Sequence, residues 1–376
     1  MTVQPAPQSQ SVAIFLPTLH GGGAERVLLD LAAEFIARGH PVDLVLMSTA
    51  AERPLMDLIP PGVRTVDLKC PRLWTSIPAL THYLRNTRPS AVIAAMPLAN
   101  AIAAYSRRAA RVPCRLILTE HNARSLAFGD AERRRHLALS PFVRFAYRFG
   151  DCIVAVSRGV ADRVCRLPGV SADRVRVIYN PAYSVRIEGL ARSPVPHEWL
   201  SDSAVPVIAA SGRLELQKDF ETLLRAFALI RARRSVRLMI LGDGSQRDTL
   251  EALTRQLGLS GCVAFVGFVT NPWAYVARAR VFVLSSVHEG LGNVLVEAMA
   301  CGTPVVSTDC PAGPGEILEG GRYGSLVPVR NPAALADAVI GALDHPVSPD
   351  LLKERARFFS IESAMAGYLD ALEFGR

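Results

Sequence analysis

Lysine is almost missing from this chain. Only Lys69, Lys218 and Lys353 occur in 376 residues, although Lys and Arg together number 42. Arginine therefore carries nearly all the positive charge, and a lysine beside a loop of interest is hard to dismiss as filler. No C-x-x-C pair occurs among Cys70, Cys114, Cys152, Cys165, Cys262, Cys301 and Cys310. That absence and the odd count argue against zinc and against a disulfide framework, leaving buried reduced thiols as the expectation. No G-x-G-x-x-G with a downstream ribose acid is present, which disfavours a dinucleotide oxidoreductase. No apolar run reaches the ~20 residues that span a bilayer. The longest, 91–105, is interrupted by Pro97 and Asn100. The opening MTVQPAPQSQ has no basic segment, and the short apolar run behind it contains Pro17, so no signal peptide is expected. These absences predict a cytoplasmic chain without transmembrane helices.

What is present is enough for large cores. Half of the residues are hydrophobic and 20% are charged, which is a folded composition, and the length suggests two domains. The net charge of +8 is unevenly placed. Residues 1–180 hold 23 basic against 13 acidic side chains, and residues 181–376 hold 19 against 21. A basic first half favours an anionic partner, such as nucleic acid, an anionic membrane surface or a phosphorylated substrate. General drift toward arginine is the plainer explanation.

Apolar β-rich runs alternate with longer amphipathic stretches. SVAIFLPTL (11–19) precedes a predicted helix over 24–38, and strands follow at 42–48, 91–96, 115–121, 152–157 and 175–180. These runs are apolar on both faces, the mark of parallel strands covered by helices on either side. The pattern breaks over 181–206, rich in Pro and Ser, which reads as an interdomain connection. A second set then runs through 205–211, 236–242, 263–268, 281–286 and 304–309. The expectation is two doubly wound α/β domains with a ligand cleft between them, lined by strand C-termini and helix N-termini.

The strand ends hold the chemistry. The first runs into His20-Gly21-Gly22-Gly23 before a helix, where backbone amides can approach a phosphate or a sugar; a tight turn is the alternative, but three glycines in a row exceed what a turn needs, so anion or sugar contact is preferred. RLILTEH ends at His121, placed to hydrogen-bond a sugar hydroxyl unless it is a structural cap. In SGRLELQKDF, Arg213 and Lys218 stand just before a predicted helix at 220–231. A planar fork and a point charge at a helix N-terminus suit a diphosphate. VFVLSS leads into His288-Glu289-Gly290-Leu291-Gly292-Asn293 and a predicted helix at 293–300 that carries Glu297. Gly290 and Gly292 leave amides open to an anion. Glu297 can accept two ribose hydroxyls, and Glu289 can reach the sugar. A glycosidase pair needs two carboxyl groups about 5–9.5 Å apart across a bond, and it has no use for a phosphate clamp. A metal site needs more Asp or His than His288 supplies. PFVRFAYRFG (141–150) aligns Phe142, Phe145, Ala146 and Phe149 on one stripe, with Arg144 and Arg148 on another face. The stripe suits either packing on the sheet or an anionic bilayer, and packing is preferred.

In this order the motifs are specific. SSVHEGLGNVLVEAMACGTPVVSTDC, with Glu289 and Glu297 in acid-x7-acid spacing, resembles the signature of retaining glycosyltransferase family 4, whose fold is GT-B. SGRLELQKDF resembles that family's arginine–lysine phosphate motif, and TLHGGGAERVLLDLA its first glycine loop. TEHN, VIYNP and the terminal FSIESAMAGYLDALE match as well, so the likeness covers nearly the whole chain. The resemblance implies an acceptor-side domain over 1–182, a nucleotide-sugar domain over 183–355 and a terminal helix over 356–376 that crosses back to the first domain. It further implies that Arg213 and Lys218 neutralise the leaving diphosphate. Glu289 would hold the donor sugar, Glu297 the ribose, and His121 would sit beside the reacting sugar. Gly22, Gly23, Gly290, Leu291, Gly292 and Asn293 would line the donor. DCPAGPGEIL resembles members that use UDP-linked hexoses or N-acetylhexosamines to build bacterial surface glycans, and departs from them at Gly315, where those members often carry a basic residue. The implied partners are a nucleotide-sugar donor and a lipid-linked or saccharide acceptor. An anionic membrane at the inner face is a further one, and nucleic acid is not. No metal or other cofactor is implied. A sugar-nucleotide epimerase of the same fold, a GDP-mannose-dependent mannosyltransferase and a non-catalytic binding partner stay open as alternatives.

Overall fold

The computed structural model describes residues 10–17, 19, 23–48, 55–72, 75–121, 140–201 and 204–373. Two compact units emerge, residues 1–181 with 361–376, and residues 182–360. Each is built on its own parallel sheet.

The first unit holds seven strands: β1 (Val12–Leu16), β2 (Val42–Leu46), β3 (Arg64–Asp67), β4 (Ala91–Ala95), β5 (Arg115–Glu120), β6 (Cys152–Ala155) and β7 (Val175–Val177). Their order is β3-β2-β1-β4-β5-β6-β7, and every neighbouring pair is parallel. Val12 sits opposite Val42 on one side and Ala91 on the other. Strands β1 and β4 are buried at every position, so their unbroken apolar sequences follow from helices on both faces. Strand β3, by contrast, lies at the sheet edge with Arg64 and Thr65 exposed. Its sequence RTVD has no apolar run, which is why hydropathy does not announce it.

Helix Gly23–Ala37 covers one face with Val27, Leu28, Leu31 and Phe35. Helix Ile361–Leu372 joins the same core through Ala364, Met365, Tyr368, Ala371 and Leu372. Polar contacts flank that seam. Arg115 Nε donates to the Ala371 carbonyl at 3.1 Å and Arg115 pairs with Glu373 at 2.8 Å, while Arg176 pairs with Asp370. The phenylalanine stripe of helix Ser140–Ala146 and the turn behind it is largely a packing face. Phe142 stacks on Tyr105 at 4.1 Å, Phe149 meets the edge of the same ring, and Ala146 is buried. Phe145 is exposed, with the Arg148 guanidinium 4.5 Å above its ring.

A buried polar network closes the C-terminal end of β5. The Tyr147 hydroxyl donates to Glu120 Oε2 at 2.7 Å and accepts from Asn100 Nδ2 at 3.1 Å. Asn100 Nδ2 also donates to the Thr119 carbonyl. Thr119 Oγ1 gives its own proton to the Ala94 carbonyl at 2.9 Å, so its lone pair faces His121 Nε2 at 3.2 Å. The imidazole therefore carries its proton on Nε2 and leaves Nδ1 as a bare acceptor. Nδ1 is enclosed and meets no partner among the described residues. Burial lowers the His121 pKa to about 4, so the ring is neutral at physiological pH.

The second unit holds β8 (Val207–Ser211), β9 (Arg237–Leu241), β10 (Val263–Gly267), β11 (Val281–Leu284), β12 (Val305–Thr308) and β13 (Ser325–Val327). Their order is β10-β9-β8-β11-β12-β13, again all parallel. Helices Phe220–Arg231 and Pro332–Asp344 bury Phe220, Leu223, Phe227, Leu335 and Val339 against β8, β9 and β11. Strand β13 is a three-residue edge strand that hydropathy also passes over. The Pro- and Ser-rich stretch before β8 is more ordered than a bare connection. It forms helices Val185–Leu190 and Glu198–Ser201, with Ser184 capping the first, and Asn271 and Arg278 donate to its Leu190 and Ala191 carbonyls.

The cysteines carry no disulfide. Cys70, Cys114, Cys152 and Cys310 are buried thiols, but Cys165 is exposed, contrary to the expectation of uniform burial. Among the described residues no helix is long and apolar enough to cross a membrane.

Two outcomes follow for stability. Met365→Ala leaves a cavity where the C-terminal helix meets the first sheet, and should cost about 2–5 kcal/mol by urea unfolding. His121 binds its proton less well in the folded state than the ordinary histidine of an unfolded chain. Its contribution is thus complete above pH 6.5 and lost as pH falls toward 4. Between pH 7.5 and 5 the wild-type protein should lose on the order of 1–2 kcal/mol that His121→Gln does not lose, and equal pH slopes would contradict the assignment.

Candidate active site

The order of the second sheet reverses between β8 and β11. Ligands of open α/β sheets bind outside the strand C-termini at such a point. Both loops singled out by sequence leave the sheet there. The Arg213–Lys218 loop follows β8, and the 285–293 loop follows β11.

Backbone and side-chain bonds sew these loops together. Gln217 Nε2 donates to the His288 carbonyl at 2.9 Å, and the Val287 amide donates to the Gln217 carbonyl at 2.9 Å. Ser285 Oγ donates to the Lys218 carbonyl at 2.8 Å. From below, Thr308 Oγ1 of β12 donates to the Ser286 carbonyl at 2.5 Å. Asp219, left-handed at φ 47°, caps helix Phe220–Arg231 by accepting from the Thr222 amide and hydroxyl. The cap stops the short turn Leu216–Lys218 and fixes where Lys218 leaves the backbone.

The central contact is an ion pair. Lys218 Nζ lies 2.6 Å from Glu289 Oε1, with the two side chains only 17% and 9% exposed. Ser286 Oγ donates to the same oxygen at 2.7 Å. Sequence reading gives the lysine to phosphate and the glutamate to sugar as separate tasks; the structure joins them. Arg213 behaves differently. It is exposed and makes no hydrogen bond or ion pair with its guanidinium among the described residues. Its loop is nonetheless fixed: the Leu214 amide donates to the Asp243 carbonyl, and Ser245 donates to Glu215 through both amide and hydroxyl.

Gly290 and Leu291 are buried under the loop, and Gly292 begins helix Asn293–Ala300 at φ 95°. Glu297, on the second turn, accepts from Trp273 Nε1 through Oε2 at 3.0 Å. The Gly290–Asn293 turn is backed by Gly313. A Cβ there would lie 2.0 Å from the Leu291 carbonyl oxygen, and the residue has φ 90°, so any side chain would displace the turn.

Arg213, Lys218, Glu289, Gly290, Leu291, Gly292, Asn293 and Glu297 thus all lie in the second unit, on the loops and helix that follow β8 and β11. His121 and Gly23 belong to the first unit, Gly23 as the opening residue of its helix, and Gly22 lies outside the described residues. Four supporting residues escaped sequence reading: Ser286, Gln217, Trp273 and Gly313. Ser286 had a signal, a serine three positions before a loop acid. Gln217 and Trp273 had none, because their partners are 71 and 24 residues away.

The chain resembles known proteins along most of its length. Residues 21–182 match the model described as Glycosyltransferase Family 4, and residues 205–345 match Glycosyl transferases group 1. The chain is 28% identical over 340 residues to the N-acetylgalactosamine-N,N'-diacetylbacillosaminyl-diphospho-undecaprenol 4-alpha-N-acetylgalactosaminyltransferase of Campylobacter jejuni, covering 86% of this chain and 87% of that protein. It is 37% identical over 193 residues to the lipopolysaccharide core biosynthesis glycosyltransferase LpsE of Rhizobium meliloti, which is 51% of this chain and 54% of LpsE. Among solved structures, Anabaena HepE in complex with UDP and glucose superposes with a TM-score of 0.78 at 20% identity, covering 97% of this chain and 99% of HepE. Two parallel Rossmann-like sheets, the matched family models and these relatives together identify the chain as a member of glycosyltransferase family 4 with the GT-B fold.

Proposed function

We propose that this glycosyltransferase moves a hexose or N-acetylhexosamine from a UDP-sugar to a lipid-linked or saccharide acceptor during cell-surface polysaccharide assembly. It retains the anomeric configuration and uses no metal ion. The observation that carries this reading is the Lys218–Glu289–Ser286 cluster beside the exposed Arg213, at the strand reversal of the second sheet. The named reaction of the Campylobacter relative supports a lipid-linked acceptor. The UDP and glucose held by HepE support the donor. The basic first half favours work at an anionic membrane surface.

The chemistry follows from charge. The bond between the anomeric carbon and the diphosphate oxygen breaks, and its electron pair leaves with the diphosphate. Negative charge grows on phosphate while the ring gains oxocarbenium character. Arg213 and Lys218 meet the first of these, in the way preorganised cations stabilise a charge that develops in the transition state. Lys218 then exchanges its carboxylate partner for phosphate oxygens. Glu289, still held by Ser286, turns toward hydroxyls of the donor sugar. Glu297 accepts from the ribose diol. The acceptor hydroxyl attacks from the face the diphosphate leaves, and its proton passes to the departing phosphate, which gives retention.

The two cations should separate under mutation. Arg213→Ala removes an exposed group, so the melting temperature should hardly move while transfer falls about 10²–10³-fold. Lys218→Ala should cut transfer as deeply and also cost about 3–5 kcal/mol, because Glu289 is left buried without its counter-charge. Wild-type transfer by either variant in a purified assay would refute the clamp. Incubating the enzyme with UDP-sugars and no acceptor tests the reaction class. Slow hydrolysis at most is expected, and rapid interconversion of donor sugars would point to an epimerase instead.

A further inference from the structure

The far end of the second sheet, where the strands begin, carries charge that the candidate site does not use. Arg231, Arg233, Arg234, Arg237, Arg278 and Arg280 gather around the first residues of β8, β9 and β11. They do so in a half of the chain that holds 19 basic against 21 acidic residues. Most of these cations have a local partner. Arg231 Nη1 donates to the Val236 carbonyl at 3.4 Å, at the end of helix Phe220–Arg231, where unsatisfied carbonyls favour positive charge. Arg233 and Arg234 pair with Asp337 and Asp344, both at 2.6 Å. The Arg237 guanidinium lies 5.3 Å above the Trp199 ring. Arg278 bridges the Ala274 and Ala191 carbonyls at 2.8 and 3.1 Å. Arg280 differs. It is exposed, and its guanidinium makes no hydrogen bond or ion pair among the described residues. Its backbone is nonetheless pinned, because its amide donates to the Val207 carbonyl at 2.7 Å.

This cation borders an open cleft of about 370 Å³, lined by Pro206, Arg234, Ser235, Val236, Arg280 and Leu343. All six residues belong to the second unit. Arg234 spends one end of its guanidinium on Asp344, and a guanidinium has five N–H donors in all. Ser235 adds a hydroxyl. Pro206, the buried Val236 and Leu343 supply apolar wall. Two guanidinium forks match the oxygens of a phosphate in pairs. A phosphate monoester brings three such oxygens and close to two negative charges, where a carboxylate brings two oxygens and one charge. Asp344 cancels one of the two cations, so an anion entering the cleft still meets net positive charge. We propose that this cleft is a second anion site, which takes a phosphate monoester with a small apolar body. Arg280 and Arg234 hold the phosphate, and the body lies against Pro206, Val236 and Leu343. The site is separate from the Arg213–Lys218 loop, which leaves the opposite end of β8.

The test titrates inorganic phosphate and phenyl phosphate by calorimetry, at constant ionic strength, into the wild-type protein, Arg280→Ala, Arg280→Lys and Arg213→Ala. Wild-type protein should bind both, and phenyl phosphate more tightly, because its ring meets the apolar wall. Arg280→Ala should bind about tenfold more weakly, the scale of one hydrogen bond to a charged group. Its melting temperature should stay put, since the side chain is exposed and unpaired. Arg280→Lys keeps the charge without the fork and should fall between the two. Arg213→Ala should lose none of the binding that Arg280→Ala removes. Flotation with phosphatidylcholine vesicles that contain phosphatidic acid identifies the source of the phosphate. Vesicle binding that Arg280→Ala lacks makes the ligand a lipid headgroup; equal binding by both proteins, or none, makes it a soluble monoester. No phosphate binding by the wild type, an unchanged affinity in Arg280→Ala, or a loss seen in Arg213→Ala instead would each overturn the site.

Discussion

One carboxylate oxygen organises the second unit's site. Glu289 Oε1 receives both the Lys218 ammonium and the Ser286 hydroxyl, each within 2.7 Å. Both charges are largely removed from water, and removing ions from water is costly unless geometry and extra hydrogen bonds compensate. Here the compensation is visible. The carboxylate has a cation and a neutral donor, and the backbone on either side of the pair is itself hydrogen-bonded across the two loops. The pair therefore acts as a latch: it holds the lysine loop and the glutamate loop in register at some expense in desolvation. Under the proposed function, a diphosphate would bring more negative charge to the ammonium than one carboxylate does, and the latch would exchange partners.

The latch works because the scaffold beneath it is rigid. Strands β8 and β11 are adjacent and parallel, so the loops that leave their C-termini start as neighbours. The remaining distance is closed by Gln217, Ser285 and Thr308, all through bonds to backbone carbonyls. Gly313 completes the support from the next loop, where a missing side chain is the requirement. A site built this way depends on main-chain geometry more than on the packing of its own side chains. Arg213 is the exception, an exposed cation on a fixed loop.

Sequence made the fold legible wherever strands are buried on both faces. VAIFL and AVIAA need apolar residues at every position, and a covered parallel sheet is what such runs imply. The edge strands β3 and β13 were invisible for the same reason. RTVD faces solvent and SLV is three residues long, so neither shows a periodicity or a run. Their existence is imposed by the neighbours β2 and β12, whose free edges they pair, and a neighbour's edge is not written locally.

The site divides along a similar line. Charged residues of the candidate site stand out in sequence, because Arg213, Lys218, Glu289 and Glu297 interrupt apolar or glycine-rich text at strand ends. Residues that orient them do not stand out. Trp273 reads as core, and Gln217 as surface, until their distant partners are known. Even the Lys218–Glu289 pair was missed as a pair, since 71 residues separate two groups that sequence can only assign singly. What topology adds is therefore less the list of charged groups than the couplings between them. The strand reversal puts β8 beside β11, and that single adjacency turns two separate motifs into one electrostatic unit.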